Sequence, residues 1–230
     1  MSQTSLPPLR ALATDYDGTL AHNGTVTATT LQALHRFKES GNRLIMVSGR
    51  EFNDLLATFP EIGIFDLAVL ENGAVLYDPA TGATEALVPP PPSDFIARLA
   101  GQGLPLQIGK AIVATWEPHE TVVLHTIKEM GLELQVIFNK GAVMVLPSGV
   151  NKATGLQAAL LKMGLDPAEV VGIGDAENDH AFLDICGYSV AVSNALPAIM
   201  EKVDLVTTND HGAGVEELID ILLKTPQPAP

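Results

Sequence analysis

The chain has 230 residues, of which 47% are hydrophobic, so it can bury a substantial core in one large domain or two small ones. Its net charge of −14, with only 13 Lys and Arg residues, argues against nucleic acid or an anionic membrane as a partner. No apolar run approaches the ~18 residues of a membrane span and the N-terminus lacks a secretory pattern, which predicts a cytosolic protein. The single cysteine, Cys186, excludes an intrachain disulfide, and we expect it to be buried.

The first 70 residues alternate short apolar runs with stretches of helical periodicity. This alternation predicts a parallel sheet covered by helices on both faces. Strands are predicted over residues 9–14, 43–47 and 67–70. A helix capped by Thr27 and ending at Gly41 joins the first two strands, and a short helix around Leu55 precedes the third.

The pattern then changes to a hairpin, with strands predicted over residues 74–77 and 85–88. Four prolines, Pro89 to Pro92, resist both helix and sheet and mark a connector. A small α+β module follows, with a strand at 106–115 among its predicted elements. Its other elements are helices at 94–100 and 119–130 and strands at 134–139 and 142–146.

After Pro147 the alternation of strand and helix resumes. The predicted strands are 170–173, 189–192 and 205–207, and the predicted helices are 152–163, 179–183, 196–202 and a last one from Val215. We expect the terminal TPQPAP to be disordered. The chain is therefore predicted to be α/β, with a doubly wound parallel sheet formed by residues 1–80 and 150–230 and an inserted α+β cap domain formed by residues 81–149.

Two carboxylates, Asp15 and Asp17, follow the first predicted strand in the run DYDGTL. In an extended segment they point the same way, and Gly18 lets the chain turn after them. A carboxylate is ionised at neutral pH, so Asp15 can attack phosphorus without an activating base. Asp17 can protonate the leaving oxygen and then deprotonate the hydrolytic water. The run predicts an aspartyl nucleophile with an acid/base partner.

Groups suited to a phosphate lie at two other places in the predicted sheet. Ser48 and Gly49, in the run VSGR, offer a hydroxyl and backbone N–H groups where the second strand ends. Lys152 begins a helix, where a cation opposes the helix dipole, so a specific anionic partner explains it better than solvent. We assign it to the phosphate and Asp15.

The run GDAEND places Asp175 and Asp179 after the apolar strand at 170–173. Two more acids beside an acidic nucleophile would repel unless a cation lies among them, and oxygen ligands suit Mg2+. The metal ligands predicted from these runs are thus Asp15, Asp175 and Asp179. We assign Asn178, which lies between the last two acids, to phosphate binding.

These four motifs, in this order, resemble the haloacid dehalogenase-like phosphatase superfamily from Leu9 to Leu223. The position of the insert and the run ENGA at 71–74 resemble the Cof-type branch with an α+β type IIB cap. The small cap is most similar to those of phosphoglycolate and sugar-phosphate phosphatases. The resemblance implies a Mg2+-dependent phosphomonoester hydrolase that acts on a small phosphorylated metabolite through an aspartyl-phosphate.

The resemblance also implies how the metal would be held. Its ligands would be Asp15, Asp175 and the main-chain carbonyl of Asp17, with Asp179 in or just outside the coordination shell. A flap would follow the first strand at residues 20–26. Two alternatives stay open, namely a phosphomutase and a phosphoryl-accepting regulatory protein.

Other residues carry weaker signals. The six histidines lack metal-ligand spacing, and we predict no zinc site. For Trp116, ordinary packing is favoured over a role in reading the leaving group, and for Lys110 and Lys140 solvation is favoured. Arg50 can contact phosphate or pair with a nearby acid, and the sequence does not decide between them.

Overall fold

The computed structural model describes residues 9–139 and 141–224. Its strands are β1 (Ala11–Thr14), β2 (Arg43–Val47), β3 (Leu67–Leu70), β4 (Val75–Asp78), β5 (Ala83–Ala86), β6 (Gln107–Ile108), β7 (Val113–Trp116), β8 (Leu134–Asn139), β9 (Ala142–Pro147), β10 (Val170–Gly174), β11 (Tyr188–Ala191) and β12 (Leu205–Val206). Its α-helices are α1 (Ala28–Glu39), α2 (Phe52–Thr58), α3 (Ser93–Gly101), α4 (Glu120–Glu129), α5 (Lys152–Met163), α6 (His180–Ile185), α7 (Pro197–Met200) and α8 (His211–Lys224).

The larger sheet has eight strands in the order β12-β11-β10-β1-β2-β3-β4-β5. The strands from β12 to β3 pair in parallel, whereas β4 and β5 are added antiparallel at one end. β1, β3 and β10 are buried along their whole length, as expected of parallel strands covered by helices on both faces. The sheet ends at β12, which has two residues, and at β5, which is largely exposed. The predicted doubly wound α/β fold is confirmed.

The smaller sheet is antiparallel, in the order β6-β7-β9-β8. One of its faces packs against α3 and α4 through a small apolar core that includes Phe95, Val123 and Val143. Because side chains alternate along a strand, the register that pairs Ala114 with Met144 places both on the opposite face. That face is directed at the larger sheet.

The hairpin β4-β5 belongs to the larger sheet, because β5 pairs with β4 along its whole length. The predicted cap boundary at residue 81 falls between the two strands of this hairpin. A domain boundary there would separate β5 from β4, which is its neighbour in the larger sheet. The elements of the smaller sheet begin after the proline run, with α3. The assignment of two domains itself remains a proposal.

The single strand predicted over residues 106–115 is also wrong. The structure has two strands, β6 and β7, separated by a loop at residues 109–112. The backbone N–H groups of three loop residues turn toward the carboxylate of Glu71 instead of continuing a ladder. This long-range partner leaves no local pattern in the sequence.

Several predicted helix ends are confirmed. The Thr27 hydroxyl accepts a hydrogen bond from the backbone N–H of Thr30 at 3.1 Å and caps α1. Gly164 ends α5 in the left-handed region with φ of 66°. The last helix starts earlier than predicted, at His211. The tail at 225–230 and Lys140 lie outside the described residues. Within the described part of the chain, every helix is too short or too polar to cross a bilayer.

Candidate active site

The predicted site residues follow strands that are neighbours in the larger sheet. Asp15 follows β1, and its backbone N–H donates to the carbonyl of Ile173 on β10 at 3.0 Å. Ser48 follows β2, and its N–H donates to the carbonyl of Val69 on β3 at 2.8 Å. Asp175 follows β10 directly. Carboxyl ends of adjacent parallel strands form one edge, which is the ligand-binding edge of open α/β sheets.

Three carboxylates and one lysine form a buried cluster at this edge. The Lys152 Nζ atom lies 2.6 Å from Asp15 Oδ1 and 2.5 Å from Asp179 Oδ1. One oxygen from each of Asp15, Asp175 and Asp179 lies within 4.8 Å of the other two. Lys152 is only 2% exposed and Asp179 is fully buried. Solvent therefore screens these charges little.

The charges in this cluster change the acidity of its members. Burial raises the pKa of Asp15 well above its ordinary value of 3.8, and the charge of Asp179 adds to the effect, while Lys152 opposes it. Burial alone would lower the pKa of Lys152, but the carboxylates of Asp15 and Asp179 outweigh burial and raise it. Lys152 thus stays protonated. When all three acids are ionised, they carry three negative charges against the single positive charge of Lys152, so they repel one another.

The chemistry of the donors fits a hard divalent cation such as Mg2+, since the candidate ligands are carboxylate oxygens. Asp179 already accepts hydrogen bonds at both oxygens, from Lys152 and from two backbone N–H groups of its own loop, each at 2.9 Å. Asp175 Oδ1 accepts from the Thr19 hydroxyl at 3.0 Å. All three acids could hold such an ion, and Asp179 in addition orients Lys152 and its own loop.

Asp15 and Asp17 are separated by a residue that faces the interior. Tyr16 is fully buried, its ring lies 5.5 Å from that of Phe59, and its hydroxyl donates to the carbonyl of Gly24 at 2.9 Å. The alternation of an extended segment therefore keeps both acids on the other side. Gly18, with φ of 94°, turns the chain immediately afterwards.

Arg50 holds Asp17 through both of its carboxylate oxygens. The Arg50 Nε–Asp17 Oδ2 distance is 2.7 Å, and a terminal nitrogen of Arg50 lies 2.8 Å from Asp17 Oδ1. Its other terminal nitrogen donates to Asp54 at 2.7 Å. The hydrogen bond to Asp17 raises the pKa of Arg50, so the guanidinium stays charged. Arg50, which the sequence left undecided, thus pairs with acids in this structure.

The remaining predicted phosphate ligands lie in two places. Ser48 is buried just after the carboxyl end of β2, where its Oγ accepts a hydrogen bond from the backbone N–H of Arg50 at 3.1 Å. Gly49 lines the same cavity as Asp15. Asn178 instead donates to Asn72 Oδ1 at 3.0 Å and lines a neighbouring cavity of about 480 Å3.

The cavity that contains Asp15 lies between the two sheets and has a volume of about 330 Å3. Its walls come from both sheets. The residues from the larger sheet and its loops are Asp15, Asp17, Gly49, Arg50, Glu51 and Asp54, and those from the smaller sheet are Gln107, Ile112, Ala114, Trp116, Asn139, Ala142 and Met144. A molecule bound there would touch the acids on one side and the smaller sheet on the other.

The cap residues singled out by the sequence have different outcomes. Trp116 is 46% exposed and lines the cavity, so ordinary packing is the wrong interpretation for it. The Lys110 Nζ atom lies 5.0 Å from the centroid of the Phe52 ring and makes a cation–π contact. Cys186, which the sequence predicts to be buried, is half-buried, and desolvation raises the pKa of its thiol to about 12.

Two residues beside the site, Glu71 and Asn72, were given no role in the sequence analysis. Both follow β3. Glu71 contacts the loop at residues 109–112, and Asn72 contacts Asn178 and the sulfur of Met144. The run ENGA that contains them entered only through the family resemblance. Their partners lie far along the chain, and no spacing rule predicts such contacts.

The fold and the acid cluster define an α/β enzyme core with an inserted α+β module over its carboxyl edge. The family of haloacid dehalogenase-like hydrolases matches residues 12–87 and 113–219. The chain belongs to this family, as its motifs indicated, and it is therefore an enzyme.

Individual relatives agree with this assignment. A phosphoglycolate phosphatase from Methanothermobacter thermautotrophicus is 30% identical over 221 residues, which cover 92% of this chain and 97% of the relative. The structure of a haloacid dehalogenase-like hydrolase from Bacteroides thetaiotaomicron has a TM-score of 0.79 at 18% identity, over 93% of this chain and 99% of that chain. A subclass IIB sugar phosphatase of the superfamily has a TM-score of 0.75 at 18% identity, over 93% and 98% of the two chains. At such identities, the structural likeness establishes the fold.

Proposed function

We propose that the protein is a Mg2+-dependent phosphatase that hydrolyses a small phosphomonoester through an aspartyl-phosphate on Asp15. The observation that carries the proposal is the position of Asp15. Its carboxylate belongs to a buried acid cluster, is fixed by Lys152 at 2.6 Å, and also lines the cavity between the two sheets. A nucleophile needs both a fixed orientation and access to the substrate.

The proposed reaction has two halves. A carboxylate oxygen of Asp15 bonds to phosphorus as the bond to the leaving oxygen breaks, and that oxygen takes a proton from Asp17. Water then gives a proton to Asp17 and bonds to the phosphorus of the aspartyl-phosphate, and the bond from phosphorus to Asp15 breaks. The products are the alcohol and inorganic phosphate, and both acids return to their initial state.

A bound metal ion and Lys152 would stabilise the negative charges of the reaction. Asp15, Asp175 and the main-chain carbonyl of Asp17 would hold Mg2+, with Asp179 adjacent, and the ion would supply positive charge to the transferring phosphoryl group. Lys152 would neutralise a phosphate oxygen while keeping Asp15 oriented.

Hydrogen-bond donors for the phosphate would come mainly from the turn after β2. Ser48 and the backbone of Gly49 are our candidates, since both lie at the carboxyl edge next to Asp15. For Asn178, the observed contact with Asn72 favours a role in positioning that residue over direct contact with phosphate.

The side of the cavity formed by the smaller sheet suits a leaving group that has hydroxyls and an apolar face. Trp116 and Met144 offer apolar surface, and Gln107 offers an amide. The Oδ1 atom of Asn139 is buried and has no hydrogen-bond partner within the described part of the chain. A substrate hydroxyl could donate to it, as a sugar phosphate would, whereas a carboxylate could not. The curated relative named above is a phosphoglycolate phosphatase, so phosphoglycolate is the competing substrate.

The decisive test is Asp15→Asn assayed with p-nitrophenyl phosphate and Mg2+. We expect kcat to fall by at least roughly 1,000-fold, because the amide is a poor nucleophile. Thermal unfolding should show that the variant still folds. Asp94→Asn, at an exposed acid on α3, is the matched control and should keep wild-type activity. Wild-type turnover by Asp15→Asn would refute the nucleophile.

A substrate screen separates the remaining alternatives. Sugar phosphates, phosphoglycolate, nucleotides and pyridoxal phosphate would be incubated with Mg2+, and released inorganic phosphate would be measured. Phosphate release favours a phosphatase over a phosphomutase, which returns the phosphoryl group to its substrate. An aspartyl-phosphate that lasts for minutes without release would favour the regulatory protein instead.

A further inference from the structure

Glu71 is a fully buried carboxylate that bridges the two sheets. It follows β3 of the larger sheet, and its oxygens accept three backbone hydrogen bonds from the loop between β6 and β7. The donors are the N–H groups of Lys110 at 2.9 Å, Ala111 at 2.8 Å and Ile112 at 3.1 Å. Hydrogen bonds to an ionised carboxylate are stronger than those to a neutral acceptor. The proposed reaction does not use Glu71 chemically.

The loop at residues 109–112 is closely fitted to this carboxylate. A Cβ atom added at Gly109 would lie 2.6 Å from Glu71 Oε1, a distance that real side chains do not adopt. Ala111 and Ile112 are buried in the apolar core of the larger sheet, although the strands on either side of them belong to the smaller sheet. The loop is therefore inserted into the core, and Glu71 satisfies the N–H groups that insertion removes from water.

The backbone of Glu71 also contacts the turn that carries the site residues. The Glu71 N–H donates to the carbonyl of Arg50 at 3.0 Å, and the Asn72 N–H donates to the carbonyl of Ser48 at 3.2 Å. Glu71 and Asn72 have φ of 53° and 54°, a conformation that is uncommon for residues other than glycine. Such conformations persist where the surroundings impose them.

We propose that Glu71 is a positioning residue that docks the cap loop 109–112 against the turn at residues 48–50. The proposal rests on the proposed function. The docked loop continues into β7, so it places Ile112 and Trp116 on the wall opposite Asp15. Without the carboxylate, three N–H groups of the loop would lose their acceptor, and the wall would no longer be held at a fixed distance from the nucleophile. Binding of the leaving group should suffer more than the chemical step.

The test combines Glu71→Gln with amide hydrogen exchange on the full chain. Gln keeps the shape but turns an NH2 group toward N–H donors. We expect the amides of residues 110–112 to exchange at least 10-fold faster, while those of β9 keep wild-type protection. With p-nitrophenyl phosphate and Mg2+, we expect KM to rise about 10-fold and kcat to change less than threefold. Glu85→Gln, at an exposed glutamate on β5, should change neither quantity.

A second variant, Gly109→Ala, tests the same contact from the cap side. Its Cβ would displace the loop from the carboxylate, so the same amides should exchange faster. In the Glu71→Ala background the new Cβ has room, and adding Gly109→Ala should then change KM less than twofold. This non-additivity would show that the two positions act through one contact.

Two results would overturn the proposal. One is wild-type exchange at residues 110–112 together with wild-type KM in Glu71→Gln and in Gly109→Ala. The other is equal loss of protection in β9 and the loop, which would make Glu71 a general stability residue. If the wild type turned over no phosphate ester, the proposed function would fail, yet the exchange data would still decide the docking.

Discussion

At the scale of single residues, the pair formed by Arg50 and Asp17 shows how one side chain fixes the orientation of another. The guanidinium contacts both oxygens of Asp17 and also reaches Asp54. A planar donor of this kind fixes the rotation of the carboxylate as well as its position. Because both oxygens accept from the guanidinium, this contact orients the ionised form of Asp17, which is the form that takes the proton of water in the second half of the proposed reaction.

We therefore predict that Arg50→Lys lowers kcat about 10- to 100-fold. A charged hydrogen bond is worth about 1.5–3 kcal/mol, and lysine cannot reproduce the bidentate contact. Steady-state kinetics with p-nitrophenyl phosphate would measure the change. Arg36→Lys is the control, because Arg36 pairs with Asp220 at the surface and its side chain is 53% exposed. Equal kcat values for Arg50→Lys and the wild type would show that Asp17 needs no such orientation.

The sequence predicts the groups that follow apolar strands more readily than the contacts between them. Asp15 and Asp175 follow the buried strands β1 and β10, and the topology of a parallel sheet brings such positions together. Arg50 was left undecided, although pairing with a nearby acid, as it pairs with Asp54, was one of its two alternatives. Its contact with Asp17, 33 residues away, and the contacts of Glu71 with a loop about 40 residues away could not be predicted, because they depend on the fold. Chemistry that resides in one short run is visible in a sequence, whereas a contact between two runs needs the fold.

At the scale of elements, α5 and the segment at 71–73 are packed with almost no space between their backbones. A Cβ at Gly155 on α5 would lie 2.5 Å from the Cα of Gly73. A Cβ at Gly73 would meet the carbonyl oxygen of Asn151 at 1.9 Å, and Gly73 has φ of 99°. This close approach lets α5 present Lys152 from its first turn to the acid cluster.

Gly155→Ala should therefore destabilise the protein by about 1–3 kcal/mol, as other overpacked sites do. The higher helix propensity of alanine would favour the variant by about 1 kcal/mol, so a net loss means that the steric overlap dominates. Urea denaturation would measure the free energy of unfolding. Gly101→Ala, at the end of α3 with nothing within 4 Å of the new Cβ, should be neutral or slightly stabilising. A Gly155→Ala variant as stable as the wild type would contradict the close packing.

Element boundaries were predictable where a local signal marks them. Thr27 caps α1 and Gly164 ends α5, as their residue types indicate. The break between β6 and β7 and the membership of β5 in the larger sheet were not predictable, since each depends on a partner elsewhere in the fold. The predicted cap boundary at residue 81 falls between the two strands of the hairpin β4-β5.

At the scale of the whole molecule, the charge of −14 is concentrated in part at the site. Three buried acids face one lysine there, so the metal-free fold retains electrostatic repulsion. A cation that binds only the folded chain stabilises it by mass action. On the proposed function, metal binding and folding would therefore be coupled.

We predict that Mg2+ raises the unfolding temperature and that a chelator reverses the effect. At a Mg2+ concentration of about 100 times its Kd, the free energy of unfolding should rise by about 2.7 kcal/mol. KCl at equal ionic strength is the control for screening, and Asp175→Asn should weaken the response. Equal stabilisation by KCl would argue against a specific site.

We also predict that the rise in unfolding temperature caused by Mg2+ depends on pH. The pKa of Asp15 is raised in the metal-free fold above its ordinary value of 3.8, so the folded chain keeps this proton at a pH where the unfolded chain has lost it. Mg2+ must displace that proton, and protonation also relieves the repulsion. The rise in unfolding temperature should therefore shrink as the pH falls through the raised pKa. A response that grows on acidification would exclude Asp15 as a ligand.

The two ends of the larger sheet have a consequence for how copies of the protein behave at high concentration. β12 offers only two residues, and Glu85 on β5 is paired with Lys162 at 3.0 Å. Fibrillar self-association needs a long, flat, apolar edge on which the next chain can form hydrogen bonds. Neither end provides one, so the extended sheet can be built mainly of apolar strands without serving as a template for aggregation.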